Sequence, residues 1–345
     1  MSDLVVEGLC KQFVAARDAL GRPKRLVHAV RGVGFVVPTG KTVGLVGESG
    51  AGKSTIGRLV LRLEEADQGA IRLGETDVRA LSRSDLRKFR ARARMIFQDP
   101  FSSLNPKMVM ADAIGEVLRA HTDLKHEQRR DYAAELLQRV GLNTKYLDSF
   151  PYEMSGGQLQ RVAVARAIAT NPELIVCDEP VAALDMSIRA TVINLLRDIQ
   201  HERNLGYLFI SHDLSLVELI ADLVVVLYAG EVVESGPADK LFAKPRHPYT
   251  KALLAAVPQP DPSQRDRRLA PPRIAAAAAA PTGCSYARVC PSAMDVCFLE
   301  TPPATVIDDV VVVCHLEQTT GVTIAKPPAP LESERCSVEE ASQLR

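Results

Sequence analysis

The sequence predicts an α/β fold with a largely parallel sheet, and three observations predict it. Short apolar runs alternate with stretches of helical periodicity from residue 1 to about residue 240. Several of these runs, Thr42–Val46 and Leu174–Cys177 among them, are short and largely apolar, as suits central strands buried on both faces. A glycine-rich loop joins the first of them directly to an apolar, periodic stretch marked by Ile56, Leu59, Val60 and Leu63, which reads as a helix.

Composition bounds the rest. At 345 residues the chain holds one large domain with an appendage, or two modest domains. Hydrophobic residues at 46% and charged residues at 24% are ordinary for a globular protein and exclude disorder over most of the length. Lys+Arg and Asp+Glu are equal at 42 each, so nucleic acid is not the expected main partner, because phosphate-backbone binding needs a basic surplus. Met1–Leu4 lacks the pattern of a signal peptide, and no run approaches the roughly 18 apolar residues of a membrane helix. The expected location is therefore the cytosol, with any membrane role exerted through partners.

The remaining elements follow in order. Tyr207–Ile210 and Leu223–Leu227 repeat the buried-strand pattern, and Leu223–Ala229 is too short to span a membrane and reads as a buried strand. Between about 104 and 170 the strand signal stops. Ala111–Ala120 and Glu127–Val140 there carry apolar residues at helical spacing, which predicts a helical insert. From Pro258 to Pro281, prolines surround the run Ala275–Ala280, the composition of a linker. Cys10 and Cys177 lie early, and the other five of the seven cysteines fall between Cys284 and Cys336. In a reducing compartment such a cluster is more often a metal site than a set of disulfides.

Three segments carry chemistry. Gly47-Glu48-Ser49-Gly50-Ala51-Gly52-Lys53-Ser54 fits G-x-x-x-x-G-K-[ST] between a strand and a helix. Its glycines let backbone N–H groups turn toward phosphates, the helix N-terminus adds partial positive charge, Lys53 reaches the β/γ-phosphates and the Ser54 hydroxyl ligates Mg²⁺. Leu174–Cys177 ends in Asp178 and Glu179. Asp178 is placed to hold the Mg²⁺ shell, and Glu179, expected to point the other way along the strand, to polarise a water for attack on a γ-phosphate. Ser155-Gly156-Gly157-Gln158 opens a third apolar stretch; Ser155 suits an N-cap, and the glycines expose N–H groups for an anion. Taken alone, this last segment reads better as a simply capped helix; its position about 100 residues after the phosphate loop and about 20 before the acidic strand changes that.

The ordered set Gly47–Ser54, Gln98, Ser155–Gln158, Asp178–Glu179, Ala183-Leu184-Asp185 and His212 resembles the nucleotide-binding subunit of ABC transporters. The resemblance implies a P-loop NTPase cassette with a RecA-like core, an antiparallel β subdomain and a helical subdomain over about 99–165. It implies ATP and Mg²⁺ as cofactors and two cassettes meeting head to tail, with ATP between one phosphate loop, Thr55 included, and the other's Ser155–Gln158 turn. Gln98 then touches Mg²⁺ and the attacking water, His212 the γ-phosphate, and Asp185 the dimer seam. The family stacks adenine on an N-terminal aromatic; Phe13 is the candidate here, against the alternative of a core Phe. Met154 stands where the family commonly has Leu, and Ala182 where it often has Ser; neither change removes a catalytic group.

Phe97–Pro106 and His247-Pro248-Tyr249-Thr250-Lys251-Ala252-Leu253-Leu254 are similar to the oligopeptide and dipeptide importers. Lys53-Ser54-Thr55 and Leu104–Met108 look like the second, F-type ATPase subunit of that branch. The resemblance implies a nucleotide-binding domain over 1–240, an importer-type segment and linker over 241–281, a Cys-rich C-terminal region over 282–320 and a tail over 321–345. It also implies a second ATPase subunit, two membrane permeases, an extracytoplasmic binding protein and a place on the cytoplasmic face of the membrane. Cys284, Cys290, Cys297 and Cys314 match this branch as well. Their spacings of six, seven and seventeen residues are not those of a zinc finger. Four thiolates suit a [4Fe–4S] cluster, with zinc or no ligand as the alternatives. Cys336 falls beyond the match. Two other functions stay in view: an importer ATPase for another solute such as a nickel chelate, and a soluble ABC ATPase acting outside transport. A module that senses ATP without turning it over is disfavoured by intact Glu179 and His212.

Overall fold

A computed structural model describes residues 2–17, 23–257 and 282–318. The linker expected over Pro258–Pro281, Cys336 and the tail over 321–345 lie outside the described residues. In chain order the elements begin with β1 (Leu4–Arg17), β2 (Pro23–Val37), β3 (Thr42–Val46), α1 (Lys53–Val60), β4 (Gln68–Leu73) and β5 (Thr76–Asp77). Next come α2 (Arg83–Arg92), β6 (Ala93–Ile96), α3 (Met110–His121), α4 (His126–Arg139), α5 (Gly156–Ile168), β7 (Leu174–Asp178), α6 (Met186–Arg203) and β8 (Gly206–Ile210). The last are α7 (Leu214–Ile220), β9 (Leu223–Tyr228), β10 (Glu231–Pro237), α8 (Ala238–Ala243), α9 (Pro248–Ala255), α10 (Val296–Leu299), β11 (Ala304–Ile307) and β12 (Val310–Val313). Among the described residues, no helix is long and apolar enough to cross a membrane.

The chain forms two compact units. The first is built mainly from Leu73–Ile210 with Val37–Thr42. Here β6, β7 and β8 run parallel, with Ala93 opposite Leu174 and Leu174 opposite Gly206. Every residue of β7 and β8 is buried, which is why both read as uninterrupted apolar runs. Parallel neighbours need long crossovers. Helix α6 supplies the one from β7 to β8 and ends at Asn204, whose φ of 54° makes it the left-handed cap. Helices α3, α4 and α5 fill the stretch between β6 and β7, burying Ile114, Leu118, Leu136, Leu137, Val162 and Ile168. Two buried polar side chains are satisfied inside this unit: Gln200 Nε2 donates to Thr42 Oγ1 at 2.9 Å, and the Tyr207 hydroxyl to Leu196 O at 3.0 Å.

The second unit comprises Val5–Val36, Val43–Arg72 and the chain from Ser211 onward. Strand β3 lies parallel to β9, with Val43 opposite Leu223 and Val46 opposite Val226. From β9 the sheet turns antiparallel through β10 to β12 and β11. Two tight hairpins make this possible. Ala229 and Gly230 both take positive φ between β9 and β10, and Asp308 and Asp309 do so between β11 and β12. Positive φ at both central residues matches the right-handed twist of the flanking strands. Strands β2, β1 and β4 are neighbours in a separate sheet.

Candidate functional site

The phosphate-loop motif leaves the end of β3, whose five residues are all buried. Gly47 has φ of 147° and Gly52 of 97°. A Cβ at Gly47 would lie 2.2 Å from Leu227 O, and one at Gly52 would lie 2.2 Å from Ala29 O, so both positions need glycine for space as well as for conformation. Ala51 is buried, its carbonyl accepts from Gly230 N at 3.2 Å, and its amide donates to Glu48 O at 3.1 Å. Lys53, the first residue of α1, is only 6% exposed. Its ammonium curls over the loop and donates to Gly47 O at 2.7 Å and Glu48 O at 2.8 Å. Gly52 provides no side-chain cap hydrogen bond for α1, and the positive end of the helix dipole lies at the loop. Ser54 and Thr55 occupy the next two helical positions, and Ser49 and Gly50 the outer bend. Burial raises the Glu48 carboxyl pKa, and the Lys53 charge opposes that shift.

In the other unit, Asp178 closes β7 and is buried. Glu179 lies beyond the strand with φ of 48°, a left-handed conformation that non-glycine residues seldom take. Glu179 therefore lies just past the strand whose alternation the sequence expectation used. The backbone bend is held where Glu179 N donates to Ile210 O at 3.0 Å. Gln98 Nε2 donates to Glu179 Oε2 at 2.9 Å, which joins two of the predicted residues across 81 positions of sequence.

Ser155 caps α5 in a reciprocal box: Gln158 N donates to Ser155 Oγ at 3.4 Å, and Ser155 N donates to Gln158 Oε1 at 2.9 Å. Gln158 Nε2 also donates to the Tyr146 hydroxyl at 2.8 Å, a partner the sequence reading did not identify. Gly156 and Gly157 form the first turn, and a Cβ at Gly157 would lie 2.6 Å from Ile188 Cγ2. Asp185 is exposed at the N-cap of α6. His212 is exposed one residue before Asp213, which caps α7 by accepting from Ser215 N at 3.1 Å. Phe13 is 38% exposed, with the Lys11 ammonium 5.3 Å from its ring centroid, so it is not a core residue.

Cys284, Cys290, Cys297 and Cys314 fall together in the second unit. Cys284 N donates to Cys297 O at 2.7 Å. Burial and then the neighbouring thiols push Cys284 and Cys314 up to about 11, and Cys290 moves the same way. Among the described residues, however, no group of three or more His, Cys, Asp or Glu side chains is placed to hold a metal ion. The [4Fe–4S] cluster expected on these four cysteines is therefore not supported by a preformed ligand group.

The sequence reading also took His247–Leu254 only as a mark of lineage. Tyr249 in that stretch reaches the phosphate loop, where its hydroxyl accepts from Glu48 N at 3.0 Å. No local motif signals this bond, because its partners are 201 residues apart.

A loop of this shape, with the acidic strand end and the Ser155 turn carried on one chain, defines an ABC-type ATPase. The ABC transporter family matches residues 30–182, and the family of the oligopeptide/dipeptide transporter C-terminal region matches residues 233–297. A probable peptide ABC transporter ATP-binding protein of Sinorhizobium fredii is 42% identical over 95% of this chain and 94% of its own length. The oligopeptide transport ATP-binding protein OppF of Bacillus subtilis is 48% identical over 72% of this chain and 82% of its own. A solved dimeric ATP-binding cassette in a post-hydrolysis state, bound to ADP and Pi, aligns with a TM-score of 0.61 at 25% identity, covering 68% of this chain and 98% of that one. The chain belongs to the ATP-binding proteins of peptide ABC transporters, and its reaction is transport-coupled ATP hydrolysis.

Proposed function

We propose that this chain is the ATP-hydrolysing subunit of an importer that carries di- and oligopeptides through separate membrane permeases. The observation that carries the reading is the loop Gly47–Ser54, closed by glycines that admit no side chain and holding a buried Lys53 at the start of α1. Backbone amides and the Lys53 ammonium bind the β/γ-phosphates, with Thr55 behind them and Phe13 against the adenine. Ser54, Asp178 and Gln98 are oxygen donors, the set Mg²⁺ prefers, and the ion when bound neutralises phosphate charge. Glu179 orients the attacking water and takes its proton, steadied by the Gln98 amide. His212 meets the γ-phosphate. The Ser155–Gln158 turn and Asp185 act on a facing cassette in a head-to-tail pair.

The facing cassette is a sister subunit, this chain being the F-type member, and an extracytoplasmic binding protein delivers the cargo. The chain sits peripherally on the cytoplasmic face, with residues 1–240 as the ATPase domain, its helical part over about 99–165, 241–281 as the importer-type segment and 282–320 as the Cys-rich region. ATP closes the pair and hydrolysis reopens it, a population shift driven by differential affinity. The test is Glu179→Gln: turnover falls at least about 100-fold while MgATP affinity stays within about threefold, because the change removes a charge at the water and leaves the phosphate cradle intact. Equal turnover in variant and wild type defeats the assignment.

A [4Fe–4S] cluster on Cys284, Cys290, Cys297 and Cys314 is a second reading, favoured by one observation: Cys284, Cys290 and Cys297 all lie near enough to Cys314 to add to the rise that burial gives its pKa, so the four share one neighbourhood. Binding requires all four to lose protons and close in. Anaerobically purified protein without iron or a thiolate-to-iron absorbance band rules it out.

A further inference from the structure

Tyr249 lies in none of the six nucleotide motifs, yet its side chain touches the phosphate loop from outside. Its hydroxyl oxygen accepts from the amide of Glu48, the second residue of the loop, at 3.0 Å. The same residue's carbonyl accepts from Lys53 Nζ at 2.8 Å and from Ala51 N at 3.1 Å. The peptide groups flanking Glu48 are thus held on one side by the loop's own lysine and on the other by Tyr249.

The ring that supplies this hydroxyl has little freedom. Tyr249 is fully buried and packs against Tyr228 at a centroid distance of 4.7 Å and Tyr286 at 5.5 Å. Tyr228 ends β9, the strand paired with β3, which feeds the loop. Its backbone is fixed as well: His247 Nδ1 accepts from Tyr249 N at 3.0 Å and caps α9. The stretch before α9 is tied down by the fully buried Glu234, whose carboxylate accepts from Arg246 N at 2.8 Å and His247 N at 3.0 Å. A buried carboxylate used to place two amides, and a buried imidazole used to place a third, form a mounting for one hydroxyl. Such a mounting pre-organises whatever that hydroxyl holds.

We propose that Tyr249 is a positioning residue for nucleotide binding, which fixes the Glu48 peptide so that the amides of the loop are already turned for phosphate before ATP arrives. The inference rests on the reading of Gly47–Ser54 as the phosphate site. It gives the segment after the ATPase core a role in the reaction itself. The bond is present in the resting loop, so losing it weakens ground state and transition state alike, which raises KM and leaves kcat in place.

The test uses full-length protein. Tyr249→Phe keeps the ring and removes only the hydroxyl; Tyr286→Phe removes a hydroxyl from the same aromatic cluster that is buried with no hydrogen-bond partner among the described residues. Loss of one hydrogen bond on a preformed loop corresponds to about a five- to tenfold rise in Kd and KM for MgATP, with kcat within about twofold. Tyr286→Phe is expected to keep the wild-type KM. Hydrogen exchange on the wild-type protein adds a readout independent of any variant: the Glu48 amide should exchange slowly. An unprotected Glu48 amide, an unchanged KM in Tyr249→Phe, a fall in kcat alone, or an equal rise in both variants overturns the role of Tyr249. Wild-type protein that fails to bind MgATP overturns the phosphate-site reading, and this inference with it.

Discussion

Helices α1 and α5 both begin at a glycine-rich turn, but the two turns use their glycines differently. At α1, Gly47 and Gly52 hold positive φ and lie against backbone carbonyls, and no side chain caps the helix. The turn is held from its flanks by Gly230, Lys53 and Tyr249. At α5, neither Gly156 nor Gly157 has positive φ, and Ser155 and Gln158 cap the turn reciprocally. A turn braced by its neighbours presents its helix dipole to an outside anion. A self-capped turn has committed its own hydroxyl, and is suited to complete a site that another surface has mostly built. On the proposed reading, the contrast assigns first contact with nucleotide to the α1 turn and the later contact, from a facing cassette, to the α5 turn.

The largest effect that tests this contrast is Lys53→Ala. Removing a charge-assisted donor from the α1 loop should weaken MgATP binding by about 2–3 kcal/mol, roughly 30- to 150-fold, and abolish measurable ATPase activity at ordinary nucleotide concentration. An isothermal titration showing wild-type affinity would break the comparison at its first term. Gly52→Ala against Gly157→Ala comes next. The first forces a Cβ into a carbonyl at positive φ and should cost about 3 kcal/mol in denaturant unfolding. The second asks only a side chain to move and gains helix propensity, so it should stay within about 1 kcal/mol. Equal costs would mean that the two turns are built alike.

Acid should separate the two turns further, since the α1 side leans on the titrating groups His247 and Glu234. Burial, aided by the Lys251 charge, lowers His247 to about 3 from an ordinary 6.5. Between those values the unfolded chain binds a proton that the folded chain refuses, so stability falls as pH drops through the window. From pH 6.5 to 5 the loss should be about 2 kcal/mol, measured by urea unfolding as the difference between wild type and His247→Asn, which keeps a capping side chain. Glu234 works in the opposite sense: burial raises its carboxyl pKa, so the folded form takes up its proton first and gains as pH falls. The subtraction removes that contribution. A variant as acid-sensitive as wild type would clear His247. The smallest effect belongs to Ser155→Ala, which should cost about 1 kcal/mol of stability through loss of the α5 cap and leave MgATP affinity of the isolated chain within about twofold. A large loss of affinity there would show that α5 takes part in first binding.

The α/β class, the buried strands β3, β7, β8 and β9, the helical stretch between 104 and 170 and the loop Gly47–Ser54 were all legible in one dimension, because each rests on local pattern: apolar periodicity, a capping serine, glycines at fixed offsets. Contacts between distant residues were not legible. The Gln98 amide on Glu179, Tyr146 on Gln158 and Tyr249 on Glu48 join side chains through sheet register and helix packing, which no local spacing encodes. The left-handed bend at Glu179, with its amide on Ile210 O, was not legible either, since it lies just past the strand end and depends on the neighbouring strand. The cysteines were legible as a group but not as a ligand set, because whether thiols act as ligands depends on burial and mutual distance. The sequence by itself determined which backbone can bend to meet a phosphate; tertiary structure alone decided which side chains hold that bend in place, because a glycine's freedom is local and a hydrogen bond's partner is not.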